Sequence, residues 1–447
     1  SNYVNQYVGI TVSDGADVSS TGHISINTDA DVELSAIANA NHGGLFSGGA
    51  LKSKNELVRT VAININSGAK LVSKSGSIGI TAEGGRYDHI ETRTSGSSGG
   101  LVSIDAGMNA STKYASDTFI NIQKGTSIAA DKGSVSIYAY VSANDIKNSL
   151  ESSTGGAVAV MTGHADAEVC ADGSSNNHFS AVINIGTEGS GDKAKITGRK
   201  VDIYAGIRNL EIYDKVQISA GGAGGAAKSF ATVTFYLNAE VNIGDVKISA
   251  PERVSIKSSG TPVNAGRHID VYTNSTFSGL FGKVTTESRF VLPGMVPLNI
   301  CTNINSGADI ESGDICIDSI DFAVNASVRY DYQRNAAAGK SVLAFNNVTG
   351  TGKTVLSDGA RIAVYQDNEG IDVYVDPDGN LTVSGPSDLI RTSKHAESKT
   401  ISFSEIKAAS AAKIYIGANI RQDLSGVRFE AYIHIPYLKV INDSEYN

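Results

Sequence analysis

Residues 62–82 read AININSGAKLVSKSGSIGITA. Apolar side chains fall at every second position, Ile63 and Ile65 first, Ile78 and Ile80 later. A period of two marks a strand with one buried face. Ser67-Gly68-Ala69 breaks the pattern as a tight turn, Lys70-Leu71-Val72 resumes it, Gly76 breaks it again, and Ser77–Ile80 forms a third strand.

This cassette recurs. Copies are anchored at Val12, Ile65, Ile122, Ile185, Ile243, Ile304, Leu356 and Ile416, in steps of 52–63 residues. A second landmark keeps pace in six copies, 31–36 residues after the anchor: Gly43-Gly44-Leu45, Gly99-Gly100-Leu101, Gly155-Gly156-Ala157, Gly221-Gly222-Ala223, Gly279-Leu280-Phe281 and Ala337-Ala338-Gly339. Such a unit is too small for a β-sandwich domain, and no stripe of helical period runs through it. The pattern predicts an all-β, single-stranded parallel β-helix, or β-solenoid, with ~57-residue repeats of about three coils. Roughly 23 coils of ~19 residues at about 4.8 Å each would give a rod of roughly 110 Å. The predicted inward columns are Ile63, Ile65, Ile78, Ile80, Ile120, Ile122, Val135 and Ile137. The glycine runs are expected wherever a Cβ does not fit, Gly99 and Gly155 among them. Ser- and Asn-rich stretches such as Asn109–Phe119 and Cys170–His178 read as exposed turns or loops.

The repeats divide the chain into 1–355, where both landmarks hold, and a divergent β-solenoid segment 356–447. There LIRTSKHAE, Leu389–Glu397, replaces the glycine run, and reads either as a narrowing or change of cross-section of the solenoid or as a projecting polar loop. Composition agrees with stacked strands. There are 48 Gly for turns but 7 Pro, which cannot donate to a central ladder. An apolar content of 41%, with strict alternation in the cassettes, argues against disorder. The net charge of −9, with scattered Lys and Arg, offers nothing to nucleic acid. No signal peptide or membrane-spanning stretch is visible. The chain begins without Met and ends in an uncapped alternating strand at Ala431–Ile435, so it reads as a mature fragment of a longer array.

Candidate chemistry is sparse. Gly350-Thr351-Gly352-Lys353-Thr354 resembles the end of a phosphate loop, but Asn347 stands where the first glycine belongs. Asp376–Asn380 (DPDGN) is a turn lacking the spacing and distal Glu of a calcium loop. The eight histidines, His23, His42, His89, His164, His178, His268, His395 and His434, form no zinc spacing. His164 and Asp166 share a strand face. Cys170, Cys301 and Cys316 make no metal motif or disulfide framework. Asp314 and Asp318 do not stand out from ordinary turn carboxylates, and the chain has no Trp to build a sugar platform. No catalytic, cofactor-binding or metal-binding residue is assigned.

The cassettes Ile63–Ala82 with Gly99–Ile104, and Ile120–Ala139 with Gly155–Val160, resemble the large secreted filamentous adhesins of bacteria, of the filamentous haemagglutinin and leukotoxin-like types. The resemblance covers residues 1 to about 355. It implies a β-helical stalk, extracellular and on the cell surface, that holds a binding region away from the cell. Its implied partners are a protein or glycan of a host or neighbouring cell and further repeats of the same chain, without nucleic acid, membrane insertion of this segment, cofactor or catalysis. Two other readings stay open: a polysaccharide-acting β-helical lyase or glycoside hydrolase, and a filament or surface-layer subunit. An enzyme would show charged side chains stacked on one face with perturbed pKa values.

Overall fold

A computed structural model describes residues 1–169, 178–189, 191–264, 269–292, 299–305 and 307–320. Beyond 320 it describes the backbone of strands only, from Ala326–Leu343 to Lys439–Asp443. Every regular element among the described residues is a strand. Parallel pairing dominates, in one large sheet that curls round and a second sheet of short strands.

The anchors stack on one another as a single column. Val12 pairs with Ile65, Ile65 with Ile122, Ile122 with Ile185, Ile185 with Ile243, and Ile243 with Ile304. Each partner is therefore one whole repeat away, which corrects the expectation of three coils per repeat. One repeat makes one level, and seven anchored levels at about 4.8 Å stack over roughly 30 Å, not 110 Å. The reason lies between the cassettes. Asn109–Phe119, expected as a loop, belongs to the long strand Val102–Ile122. Its inward positions include Thr112, Ser116 and Thr118, all buried, so apolar alternation fades while the strand continues.

In the second level the chain runs through Lys52–Ile65, turns, forms Lys70–Ser73, turns again and forms Ile78–Gly84. The latter part of the first strand and the next two surround an apolar core. All eight predicted inward residues are at most 1% exposed. The short strands add a column of their own, Leu71, Ile128, Ile196, Ile248 and Ile310, in register and buried. Burying each such side chain contributes about 1.5–3 kcal/mol. On the outer side of the anchor strand an amide ladder ties the levels together. Asn121 Nδ2 donates to Asn64 Oδ1 at 2.9 Å, Asn184 Nδ2 to Asn121 Oδ1 at 2.9 Å, and Asn242 Nδ2 to Asn184 Oδ1 at 3.0 Å.

From the core the chain leaves along His89–Gly99, reverses at the glycine run and returns along Val102–Ile122. These two layers form a flange beside the core. Its interior mixes hydroxyls with apolar side chains such as Leu150 and Val216: Ser53 bonds Thr94 at 2.6 Å, Thr92 bonds Thr112 at 2.7 Å, and Ser229 bonds Ser275 at 2.6 Å. At the flange rim Gly100, Gly156 and Gly222, the second glycines of their runs, each face the carbonyl oxygen of the level before. A Cβ on Gly100 would strike Gly44 O, and one on Gly156 would strike Gly100 O. Gly99, by contrast, has open space, and a Cβ on Gly155 would make only ordinary contact. The steric demand was thus expected one residue too early.

At the far end Ile304 pairs directly with Ile416. The anchor Leu356 lies outside the described residues. Of the segment Leu389–Glu397, Ile390–Thr392 is a strand antiparallel to residues 340–342, and Ala396–Ser404 pairs antiparallel with residues 328–335. Residues 389 and 393–395 lie outside the described residues.

Two measurements check this packing. Gly100→Ala should lower the melting temperature by several degrees, whereas Gly99→Ala should change it little, a contrast that calorimetry reads directly. Ile80→Asp, which places an unpaired charge in the core, should cost more than about 4 kcal/mol in denaturant unfolding.

Candidate functional site

Where flange meets core, the second level buries a charged cluster. Arg59 and Asp88 have wholly buried side chains and meet in a fork, Nη2 to Oδ1 at 2.7 Å and Nη1 to Oδ2 at 2.9 Å. Asp88 Oδ1 also accepts the Val32 amide at 2.8 Å, and Arg59 Nε donates to Gln6 Oε1 at 2.9 Å. The Tyr114 hydroxyl lies 2.6 Å from both Asp88 Oδ2 and the Ser142 carbonyl. Burial, reinforced by the Asp88 charge, pushes the Tyr114 phenol well above its ordinary pKa, so it remains a donor. Gly85, at φ +83°, turns the chain here, and a Cβ would press on Tyr114 and Asp88. The cluster joins three levels and is closed to solvent, so its role is to hold the corner.

On the outside of the same corner, Asp29 and Glu83 occupy adjacent levels in register. This is the arrangement nearest to the stacked carboxylates expected of a polysaccharide-cleaving enzyme. Burial raises the pKa of both, aided at Asp29 by the Asp31 charge. The Glu83 side chain is only 5% exposed, however, and Arg208 Nη1 covers it at 2.7 Å. Arg208 itself lies over the Tyr140 ring, 5.0 Å from its centre. With one carboxylate capped by a guanidinium, the pair is not open to a substrate.

A groove of about 400 Å³ lies on the outward face of the flange. Its walls are two columns of polar side chains, Glu151, Gln217 and Asn274 in one and Ser153, Ser219 and Thr276 in the other. Alternation places these outward while Leu150, Val216 and Ile218 point in. Glu151 has two nearby cations, Arg93 at 3.8 Å and Lys215 at 3.7 Å. Nearer the first level, equivalent residues bond each other, Ser95 to Asn39 and Ser97 to Asn41.

The residues singled out in the sequence do not converge. Asp318 is buried and accepts from Cys316 Sγ at 3.2 Å, while Asp314 sits in a turn with Ser312. His164 stacks on Phe230 with centroids 4.7 Å apart. Among the described residues no three His, Cys, Asp or Glu side chains gather as metal ligands. Residues 351–354 and the turn Asp376–Asn380 lie outside the described residues, as does Cys170. The corner cluster escaped sequence reading because Arg59, Asp88 and Tyr114 are not repeated at the equivalent positions of the other levels, where Gln6 and Ser116 pair with Arg59 and Leu57 with Tyr114. The amide ladder had a signal: an Asn precedes the anchor Ile at residues 64, 121, 184, 242 and 303. No family model, characterised protein or solved structure matches the chain.

Deeper in the flange, Asp214 is 1% exposed, and neither carboxylate oxygen makes a hydrogen bond of full geometry, although the Thr232 backbone and the Asn148 side chain lie close to it. Burial, and then the Asp166 charge, hold its pKa well above the ordinary carboxylate value. The native state therefore keeps a proton that the unfolded chain loses near pH 4. The Asp214 contribution is at its most favourable below that pH. It declines by about 1.4 kcal/mol per pH unit as pH rises towards the native pKa. Asp214→Val, which copies Val271 at the paired position of the next level, should flatten the stability–pH profile and raise stability most at pH 8. In the corner, Arg59→Met should cost about 3–5 kcal/mol, because Asp88 would be left buried and unpaired.

Proposed function

We propose that this chain is a structural and adhesive stalk segment of a large bacterial cell-surface or secreted adhesin, folded as a parallel β-solenoid and acting outside the cell. The observation that carries the reading is the single in-register column of anchors, in which each repeat adds one level and nothing in the core changes kind. A stack of this sort makes length and lateral surface rather than a closed cleft. The capped state of Glu83 supports the same reading over that of a polysaccharide-cleaving enzyme. Further repeats suit the open first level, where Ile10, Val12, Ile24 and Ile26 border an apolar cavity of about 620 Å³ beside the strand edge Asn2–Val12. Weak contacts repeated along such a surface add up to firm attachment.

The test uses the purified chain on beads and in solution. Beads should adhere to cells bearing surface glycoproteins, and soluble chain should compete. A polysaccharide panel should yield no new reducing or unsaturated sugar ends. Release of such ends, lost in Glu83→Gln, would replace the stalk by the enzyme.

A further inference from the structure

The flange groove differs from the other polar surfaces of the stack in one respect. In the anchor column, Asn64, Asn121, Asn184 and Asn242 consume one another's donors and acceptors. In the groove, Gln217, Asn274, Ser153, Ser219 and Thr276 line a concavity, and no such ladder links them. Their amides and hydroxyls are aimed outward by strand parity, on strands whose inward residues Val216, Ile218 and Ser275 are buried. A rigid floor thus presents two parallel rows of hydrogen-bonding groups, with neighbours along each row about 4.8 Å apart.

The chemistry of the lining selects the ligand. Gln and Asn both donate and accept, and Ser and Thr hydroxyls do the same. The one carboxylate in the walls, Glu151, lies between two cations, Arg93 and Lys215. Carboxylate and cations sit together, so a chain of like charges would meet both signs, and the lining side chains are polar apart from Ile218. An extended peptide adds to a sheet edge, but the groove is a sheet face whose backbone groups already pair with the neighbouring levels. A ligand dense in neutral hydroxyl groups meets every requirement. Tyr272, two residues before Asn274 and paired with Lys215, has the same outward parity in the column next to the groove.

We infer that this groove binds an uncharged oligosaccharide chain lying along the stacking direction across the levels of Glu151, Gln217 and Asn274. The inference rests on the adhesive reading and gives its partner a chemical class. A shallow open groove holds such a chain weakly, and copies presented together hold it firmly.

The experiment measures binding of the full chain, immobilised at high density, to cello-, manno- and chito-hexaose, with a heparin hexasaccharide and a polyglutamate peptide as charged controls. At least one neutral hexasaccharide should bind. The double variant Gln217→Ala/Asn274→Ala should weaken it at least fivefold with an unchanged melting temperature, and Lys195→Ala, on the short-strand sheet, should leave it unaltered. Ser219→Tyr, which fills the groove from an exposed position, should abolish it. Neutral sugars that fail to bind, binding that survives both groove variants, or heparin binding that exceeds neutral binding would each overturn the proposal. Chain-coated beads assayed in parallel separate the two failures. Beads that adhere to cells while no hexasaccharide binds condemn the groove alone, and beads that do not adhere condemn the adhesive reading with it.

Discussion

The peptide groups of each level are satisfied chiefly by the levels on either side. In a parallel ladder the bonds run from one strand to the next at constant register, so the position of Ile122 is set by Ile65 and in turn sets Ile185. A slip of one residue would turn every inward Ile to the outside. The apolar columns, the amide ladder and the glycine rim all express this constraint. The step length itself is free to vary, provided the extra residues leave the ladder. Between Ile122 and Ile185 the separation is 63 residues rather than 57, and the register with the level before changes between Val169 and Phe179.

Core and flange meet this constraint by different chemistry. In the core, burial of Ile and Val supplies both driving force and register. In the flange, hydroxyls bonded across the two layers replace apolar contact for part of each level: Asn55 Nδ2 donates to Thr92 Oγ1 at 2.8 Å, and Thr112 Oγ1 to Asn148 Oδ1 at 2.6 Å. Buried polar groups of this kind are tolerable because they are partnered. Ser116, Thr118 and Asp214 are among the exceptions, and at Asp214 burial favours the neutral, protonated form. The corner between the two regions carries the buried pair Arg59–Asp88. There a guanidinium with fixed fork geometry dictates how the flange leaves the core.

These differences explain what could be read from the sequence. The core was legible residue by residue, since Ile63, Ile65, Ile78 and Ile80 alternate without interruption and all point inward. The flange was not, because a strand lined with Ser and Thr has the composition of a loop, and Asn109–Phe119 was read as one. That misreading also produced three short coils where one long level exists. The glycine landmark was placed correctly, but its crowded member was not. Whether Gly99 or Gly100 faces a carbonyl depends on the parity of the strand entering the turn, and no apolar side chain marks that parity there. The groove residues had no signal beyond polarity. What distinguishes Gln217 and Asn274 from the ladder asparagines is the partner each has in space.

The hydroxyl interior of the flange also bears on temperature. The heat capacity change on unfolding comes from apolar surface and is reduced by polar surface. A layer whose inward positions include Thr92, Thr94, Thr112, Ser229 and Ser275 exposes less apolar area per residue than the Ile-lined core. Its stability curve is therefore flatter, changing less between cold and warm surroundings than that of the core it adjoins. In the second level the charged corner at Arg59 stands between the two.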